Sequence, residues 1–436
     1  MMRIRLPALV LLVLGLGFCA AYAAEDYVPP EPLHGMGLTK FWQLQLPLEQ
    51  GQQVLDAFLV DEMLYFGTND GFAFAVHAPT GTLRWLRPVT RTGYRVRRPA
   101  HAGEHVIFAT PTDIQVYQRR NGDPVMRRAL EFPGGTGLVC DGRLFFIGGL
   151  DKRLYAFGTD DQLLRWRAIT SAPISVTPAL YQAAADGDAQ WSIYTVNESG
   201  DLYAAGADDK VQQWMYPLGE RVTAELVVGE RGVYVAARDM SLYLLDRDHG
   251  TLRWRARFAS PLQDPPLVAN DLVFQYSAAD GIGAVDNTTI GVVDERIRWR
   301  FANGRAPLTT YGDTLYALTR DGQLAAVRTK DGAVIAAAPT GGLNITIPVA
   351  DEPVVYLAAA DGRVFCARPR GATPPTREDI LDALIPKPAT QAETAPATQP
   401  AKPAPAAQPA ATQPDGGAGA LLGGKSKISK EFGGGR

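Results

Sequence analysis

The densest set of chemistry-bearing side chains is a run of arginines, Arg87, Arg91, Arg95, Arg97 and Arg98, with Tyr94 among them. Guanidinium forks match carboxylates and phosphates through paired N–H donors. Arg91, Arg95, Arg97 and Arg98 are therefore the candidate patch for an anion or an acidic partner. Pairing with neighbouring acidic turns would silence the same charges. A second pattern, His101-x-x-Glu104-His105, matches the H-x-x-E-H signature of a zinc protease. That chemistry needs both histidines on one face of a helix. Here the segment aligns with the turns at Asp61-Glu62, Glu230-Arg231 and Gly312-Asp313, so it reads as a β-turn centred on Gly103. A third set is acidic: Asp70, Asp113, Asp151, Glu198, Asp239, Asp280, Asp321 and Asp361. These fall in one hairpin of a repeat and read as turn residues; an acidic ring for a cation or basic partner is the alternative. No nucleophile elbow, phosphate loop or nucleic-acid motif is present. No catalytic or metal-ligating residue is assigned.

The elements that must hold these residues form a repeat. The stretches LYFGTNDGFAFAVHAPTGTLRW (64–85), LFFIGGLDKRLYAFGTDDQLLRW (144–166) and VYVAARDMSLYLLDRDHGTLRW (233–254) share one plan. An aromatic strand leads to an Asp-bearing turn, a second aromatic strand, a polar turn and a strand carrying Trp. The first-strand aromatic recurs as Tyr65, Phe108, Phe146, Tyr194, Tyr234, Phe274, Tyr316 and Tyr356, at intervals of 38 to 48 residues. A period of about forty with four short strands per unit marks a β-propeller. A sheet this small leaves two apolar faces, and radial stacking buries both.

The Trp-bearing position recurs at Trp42, Trp85, Arg127, Trp166, Trp214, Trp254, Trp299 and Ile335, so the Trp is lost in blades two and seven. This second series starts before the first aromatic marker, and only one strand, Val364–Arg368, follows Tyr356. The expected fold is all-β: an eight-bladed β-propeller of four-stranded antiparallel blades over 38–370. The segment around Phe41-Trp42 should supply the last blade's outer strand and close the ring. The arginine run links blade one to blade two on the face that carries the turn acids, with Arg97 and Arg98 near the channel mouth. Cys140 and Cys366 then lie in blades too far apart for a disulfide.

This repeat resembles that of the pyrroloquinoline-quinone (PQQ)-like propellers, and no Trp-Asp dipeptide ends a blade as in WD40 repeats. The resemblance implies quinoprotein dehydrogenases, the propeller of the outer-membrane protein assembly machinery, or exported binding proteins. Dehydrogenases of the methanol type carry adjacent cysteines, a calcium site of Glu, Asn and Asp, and an Asp base. The sequence has no adjacent cysteines, so the expectation is a non-catalytic chain with no cofactor; PQQ with calcium is the alternative.

Charge and the chain ends complete the reading. The 436 residues carry 43 basic and 46 acidic side chains, a net charge of -3, which excludes a strongly basic nucleic-acid binder. Arg3 and Arg5, an apolar run and Ala21-Tyr22-Ala23 make residues 1–23 an export signal. Phe18 before Cys19 argues against a lipidation site. A leader (24–37) precedes the propeller. After it, Thr376-Arg377-Glu378-Asp379 caps a short amphipathic helix within 371–385, either docked on the body or binding a partner. From 386 the Pro-, Ala-, Thr- and Gly-rich tail is expected to be disordered. The expected protein is a monomeric binding or scaffold protein of the periplasm or cell envelope. Its partner would be a protein or polymer of the envelope, with no nucleic acid and no transmembrane segment after signal cleavage.

Overall fold

The computed structural model describes residues 25–183, 190–291, 293 and 295–384. The export signal and the tail from 386 lie outside the described residues. Those residues fall within the first of two compact units, which ends at Lys387.

Among the described residues, thirty-two strands form eight four-stranded antiparallel sheets. Blade 1 comprises Val54–Val60, Met63–Thr68, Phe72–His77 and Thr82–Pro88. Blade 2 comprises Ala100–Ala102, His105–Ala109, Asp113–Gln118 and Pro124–Ala129. Blade 3 comprises Gly134–Cys140, Leu144–Gly149, Arg153–Gly158 and Leu164–Ile169. Blades 4 to 7 repeat the plan. Blade 8 takes Ile345–Ile347, Val355–Ala358 and Arg363–Pro369, and its outer strand is Leu38–Gln45. Trp42 stands opposite Cys366 in that pairing. The first and last strands of the propeller thus close the ring, as the strand count requires.

The core is distributed around the ring. Eight apolar clusters each join residues of two neighbouring blades, including one between blades 8 and 1. No blade buries both faces alone, so the sheets stand or fall together.

One contact recurs at these seams. The outer-strand indole Nε1 donates to a carbonyl in the last turn of the next blade: Trp42 to Ala78, Trp85 to Arg119, Trp166 to Ala207, Trp214 to Arg247 and Trp299 to Thr329, at 2.7–3.0 Å. The same turn presents a glycine to the ring. A Cβ at Gly81 would lie 2.5 Å from Trp42, and one at Gly250 would lie 2.5 Å from Trp214. Gly81 has φ 69° and Gly250 φ 66°, so turn geometry and close approach both demand glycine. Blade 4 departs from this with Lys210 at φ 57°. Blade 6 departs further: its longer turn leaves Trp254 Nε1 unpartnered, and the Arg296 guanidinium covers that ring at 5.1 Å.

The structure corrects two details of register. The residue of blade 2 equivalent to Tyr65 is Ile107, which pairs with Val116 and through it with Met126. Phe108 faces the other way and meets Tyr65 and Trp85 of blade 1 edge-on, at 5.7 and 6.4 Å. The Trp position is therefore taken by Met126 rather than Arg127, and in blade 7 by Ala336 rather than Ile335. The outer hairpins of blades 1, 2 and 7 share the same bulge, so the difference lies elsewhere: the middle hairpin of blade 2 pairs Ile107 with Val116, one residue shorter than Tyr65 with Ala75, while blade 7 keeps the spacing of blade 1.

A short helix flanks the propeller on each side. In the leader, α1 (Pro30–Gly35) buries Leu33, with Met36 buried just after it, in the seam between blades 7 and 8. Tyr316 Oη donates to the Met36 carbonyl at 2.9 Å. The helix thus stands in for the turn blade 8 lacks because its outer strand comes from the opposite end. Beyond the last blade, α2 (Arg377–Leu384) opens with a capping box: Thr376 Oγ1 accepts from the Asp379 amide and Asp379 Oδ2 accepts from the Thr376 amide, at 3.2 and 2.7 Å. Ala383 is buried, but Ile380, Leu381 and Leu384 remain exposed, so the apolar stripe is not the docked face.

The seam contact is testable by urea melts. Gly103 also has positive φ (56°), with nothing near its missing Cβ. Gly103→Ala should cost roughly 1–2 kcal/mol from backbone strain alone. Gly81→Ala should cost clearly more, approaching the roughly 3–5 kcal/mol expected for Trp42→Ala. Equal losses at the two glycines would remove the indole contact from the account of the seam.

Candidate functional site

Antiparallel blades have two ends. The crossovers between blades and the middle hairpin turns share one end; the first and last hairpin turns share the other. The arginine run begins in the outer strand of blade 1 and crosses to blade 2, which puts it at the crossover end.

The structure separates these arginines. Arg87 stays on the outer wall, where Nε donates to the Gly122 carbonyl at 2.7 Å. Arg91 and Tyr94 lie exposed on the crossover. Arg95 Nε and Nη2 fork the Asp56 carboxylate at 3.1 and 2.5 Å. Arg97 Nη1 donates to the Gly135 carbonyl of blade 3, and Arg98 Nη2 to the Leu59 carbonyl of blade 1 at 3.0 Å. Arg95, Arg97 and Arg98 line a cavity of about 390 Å³ together with Phe58 of blade 1, Gly137 of blade 3, and Thr177 and Glu225 at the entries to blades 4 and 5. A cavity touching successive blades from inside the ring is the channel mouth.

Its charge is predominantly positive. Three guanidiniums face two carboxylates, and only Asp56 is paired with one of them. Burial lowers the pKa of the half-buried Arg97, which has a backbone carbonyl for its partner. Burial also holds the Asp56 carboxyl above its ordinary value, the Arg95 hydrogen bond offsetting only part of the effect. Arg97 and Arg98 therefore present N–H donors to anything anionic that enters. A calcium–quinone centre does not fit these residues: one carboxylate is already forked, and three guanidiniums would repel a divalent cation.

The turn acids are engaged elsewhere. Asp113 pairs with Arg127, Asp151 with Arg153, Glu198 with Arg221 and Asp239 with Arg255, at 2.6–2.9 Å. Asp70 accepts from Gln52 and Asp321 from Asn303, each at 3.0 Å. Among the described residues none of the eight pairs with an arginine of the run. The partner of Arg95 is instead Asp56, on an inner strand; the sequence signal for it was a lone acid within the apolar stretch Val54–Val60.

The histidine pattern is a hairpin. His101 and His105 flank the turn at Gly103, and Ala102 pairs with His105. His101 is buried between Tyr65 Oη and Asp61 Oδ2, 2.7 Å from each. Asp61, Glu62 and His101 do bring three ligand-type atoms together. Arg119 already stands there, 3.4 Å from Glu62 and 4.0 Å from Asp61. The His101 hydrogen bond lowers the Asp61 pKa, which fits a locked structural network. Cys140 and Cys366 are both free thiols, and burial pushes the Cys140 thiol up to about 11.

Comparison with known proteins gives concordant results. A family model described as outer membrane protein assembly factor BamB matches residues 184–373. The outer membrane protein assembly factor BamB of Alkalilimnicola ehrlichii is 25% identical over 216 residues, 46% of this chain and 52% of that protein. The chain thus spans about half the length of this curated relative. In fold, the chain is similar to BamB from Moraxella catarrhalis (TM-score 0.59, 14% identity, 77% of this chain and 99% of that one). It is also similar to Saccharomyces cerevisiae Sqt1 (0.58, 12%, 72% and 95%) and to the computationally designed Ika8 protein (0.57, 12%, 74% and 98%). The repeat, the eight blades and these likenesses make the chain a PQQ-like β-propeller.

The Asp56 shift predicts a pH dependence. A carboxyl raised in the folded state contributes stability that is full below its unfolded value, 3.8, and is lost as pH rises through its folded value. Asp56→Asn should therefore flatten the fall in stability just above pH 3.8, by less than about 1 kcal/mol because the Arg95 pair is solvent-screened. Thermal melts from pH 3 to 7 check this. A variant that loses more stability at neutral than at acid pH would reverse the sign.

Proposed function

We propose that this chain is an exported, non-catalytic β-propeller that acts as a scaffold in the cell envelope. As a monomer it binds an envelope protein or polymer through the arginine-bearing mouth of its channel. The likeness to outer membrane protein assembly factors supports the class of role, and the export signal read in the sequence supports the compartment. One observation carries the site: Arg95, Arg97 and Arg98 converge from a single crossover on one end of the channel with too few carboxylates to neutralise them. An acidic partner would gain paired hydrogen bonds at a partly desolvated surface, where they are stronger than in water.

Arginine-to-serine replacement at Arg91, Arg95, Arg97 and Arg98 tests this, using crosslinking in native envelopes and recovery of captured proteins. Capture should fall by about tenfold, equivalent to roughly 1.4 kcal/mol, while the melting temperature stays within a few degrees. Wild-type capture should also weaken with added salt. Unchanged partners would remove the mouth from consideration. Separately, the mature protein reconstituted with PQQ and calcium should give no bound-quinone spectrum. Dye-linked alcohol oxidation would overturn the non-catalytic assignment.

A further inference from the structure

Two blades lack the outer tryptophan, and the chain treats the two gaps differently. At the seam after blade 7, Leu33 and Met36 of the leader pack beside Ala336. At the seam after blade 2 no described element plays that part. The outer strand Pro124–Ala129 has no fully buried residue. The turn of blade 3 carries Gln162 where Gly81 and Gly250 receive an indole.

A cleft of about 250 Å³ opens there. Its apolar lining is Leu130, Phe132, Tyr155, Phe157 and Leu164. Phe132 and Tyr155 stack at 3.6 Å, and Phe157 lies nearly parallel to both. Phe157 occupies the place of Tyr117, the ring on which Trp85 stacks one seam earlier. Arg128, Arg153 and Arg167 edge the cleft together with Glu131 and Asp151. Arg153 is neutralised by Asp151, and Arg128 donates to the Gln162 carbonyl. Exposed Arg167 has no ion pair among the described residues.

We propose that this cleft is a second docking site, taking a short segment of a partner protein with one large aliphatic side chain and flanking carboxylates. The leader gives the internal precedent for the aliphatic anchor, since α1 fills the corresponding gap with Leu33 and places acidic Glu31 in its first turn. With Asp151 and Arg153 paired to each other, the guanidiniums of Arg128 and Arg167 outweigh the one remaining carboxylate, Glu131, and supply the complementary charge. The site lies on the outer wall, apart from the channel mouth, and does not depend on the arginine run.

A fluorescein-labelled peptide, Glu-Glu-Pro-Leu-Glu-Glu-Met, serves as the test ligand, with leucine-to-alanine and all-lysine versions as controls. The full chain should bind it at least tenfold more tightly than either control. Arg167→Glu should weaken binding severalfold. The double change Met126→Trp with Gln162→Gly restores the lock of the other seams over Phe157. It should abolish binding while leaving the melting temperature unchanged or raised, so misfolding cannot mimic the result. Serine at Arg95, Arg97 and Arg98 should leave peptide binding intact, separating this site from the channel mouth. Equal binding of the three peptides, or undiminished binding by the double variant, would overturn the proposal. So would a photo-crosslinker at Leu164 that captures the chain's own residues beyond 384, or a second copy, in place of added peptide.

Discussion

The seams depend above all on a flat indole meeting the last turn of the next blade: five of the eight carry the hydrogen bond, and four of those turns place a glycine under the ring. A tryptophan in one blade's outer strand can reach the carbonyl of the next blade only if its ring lies against the backbone of that turn. Glycine permits this approach, and its positive φ makes the turn that exposes the carbonyl. One contact therefore combines a hydrogen bond, a large buried apolar ring and a tight hairpin. Because every bonded indole reaches the following blade, the contacts run in one direction around the ring. Closure by the first strand adds the last link, Trp42 to Ala78, at 2.9 Å. Without it blade 8 would present the unpaired edge of Arg363–Pro369.

This arrangement divides the labour between the two ends of each blade. The last hairpin turns, which receive indoles, are constrained by packing. The crossovers carry no such duty, so their sequence is free to vary, and the arginine run is the extreme case. In blade 6 the constrained end varies instead. Its long turn moves the accepting carbonyl away, Trp254 loses its hydrogen bond, and Arg296 covers the ring while donating to the carbonyls of Asp286, Thr289 and Gly291.

Much of this was legible in the sequence because the signals are local. The blade number, the closing strand and the face carrying the arginines come from spacing, aromatic markers and turn residues. What was not legible depends on contacts between distant residues. Phe108 passed for the marker of blade 2 because it is the aromatic in that strand; only strand pairing reveals Ile107 in its place. The leader helix gave no periodic signal, since its residues Pro30–Gly35 are a single turn or two fixed by the gap they fill. The acid that holds Arg95 was hidden for the same reason: Asp56 lies 39 residues away in sequence, beyond any local rule. The turn acids looked like the natural counterions, but nearby arginines, or the Gln52 and Asn303 amides, reach them first.

Arg97 is the residue that folding alone explains least. A half-buried guanidinium with a backbone carbonyl as partner works against stability, because desolvation penalises the charged form. An apolar side chain at this point of the crossover, before the inner strand Ala100–Ala102, would suit the fold better. Eight seams hold the strand regardless, so the scaffold tolerates a charge that its packing does not require. Arg95 differs, since Asp56 accepts both of its donors and leaves little for a ligand to gain. Arg95 thus anchors the crossover to blade 1, while in the proposed site Arg97 is the arginine with donors left for a ligand. Local rules of sequence and structure tend to fail where function imposes its own demand, which is the ground for giving Arg97 the leading place in the proposed binding site.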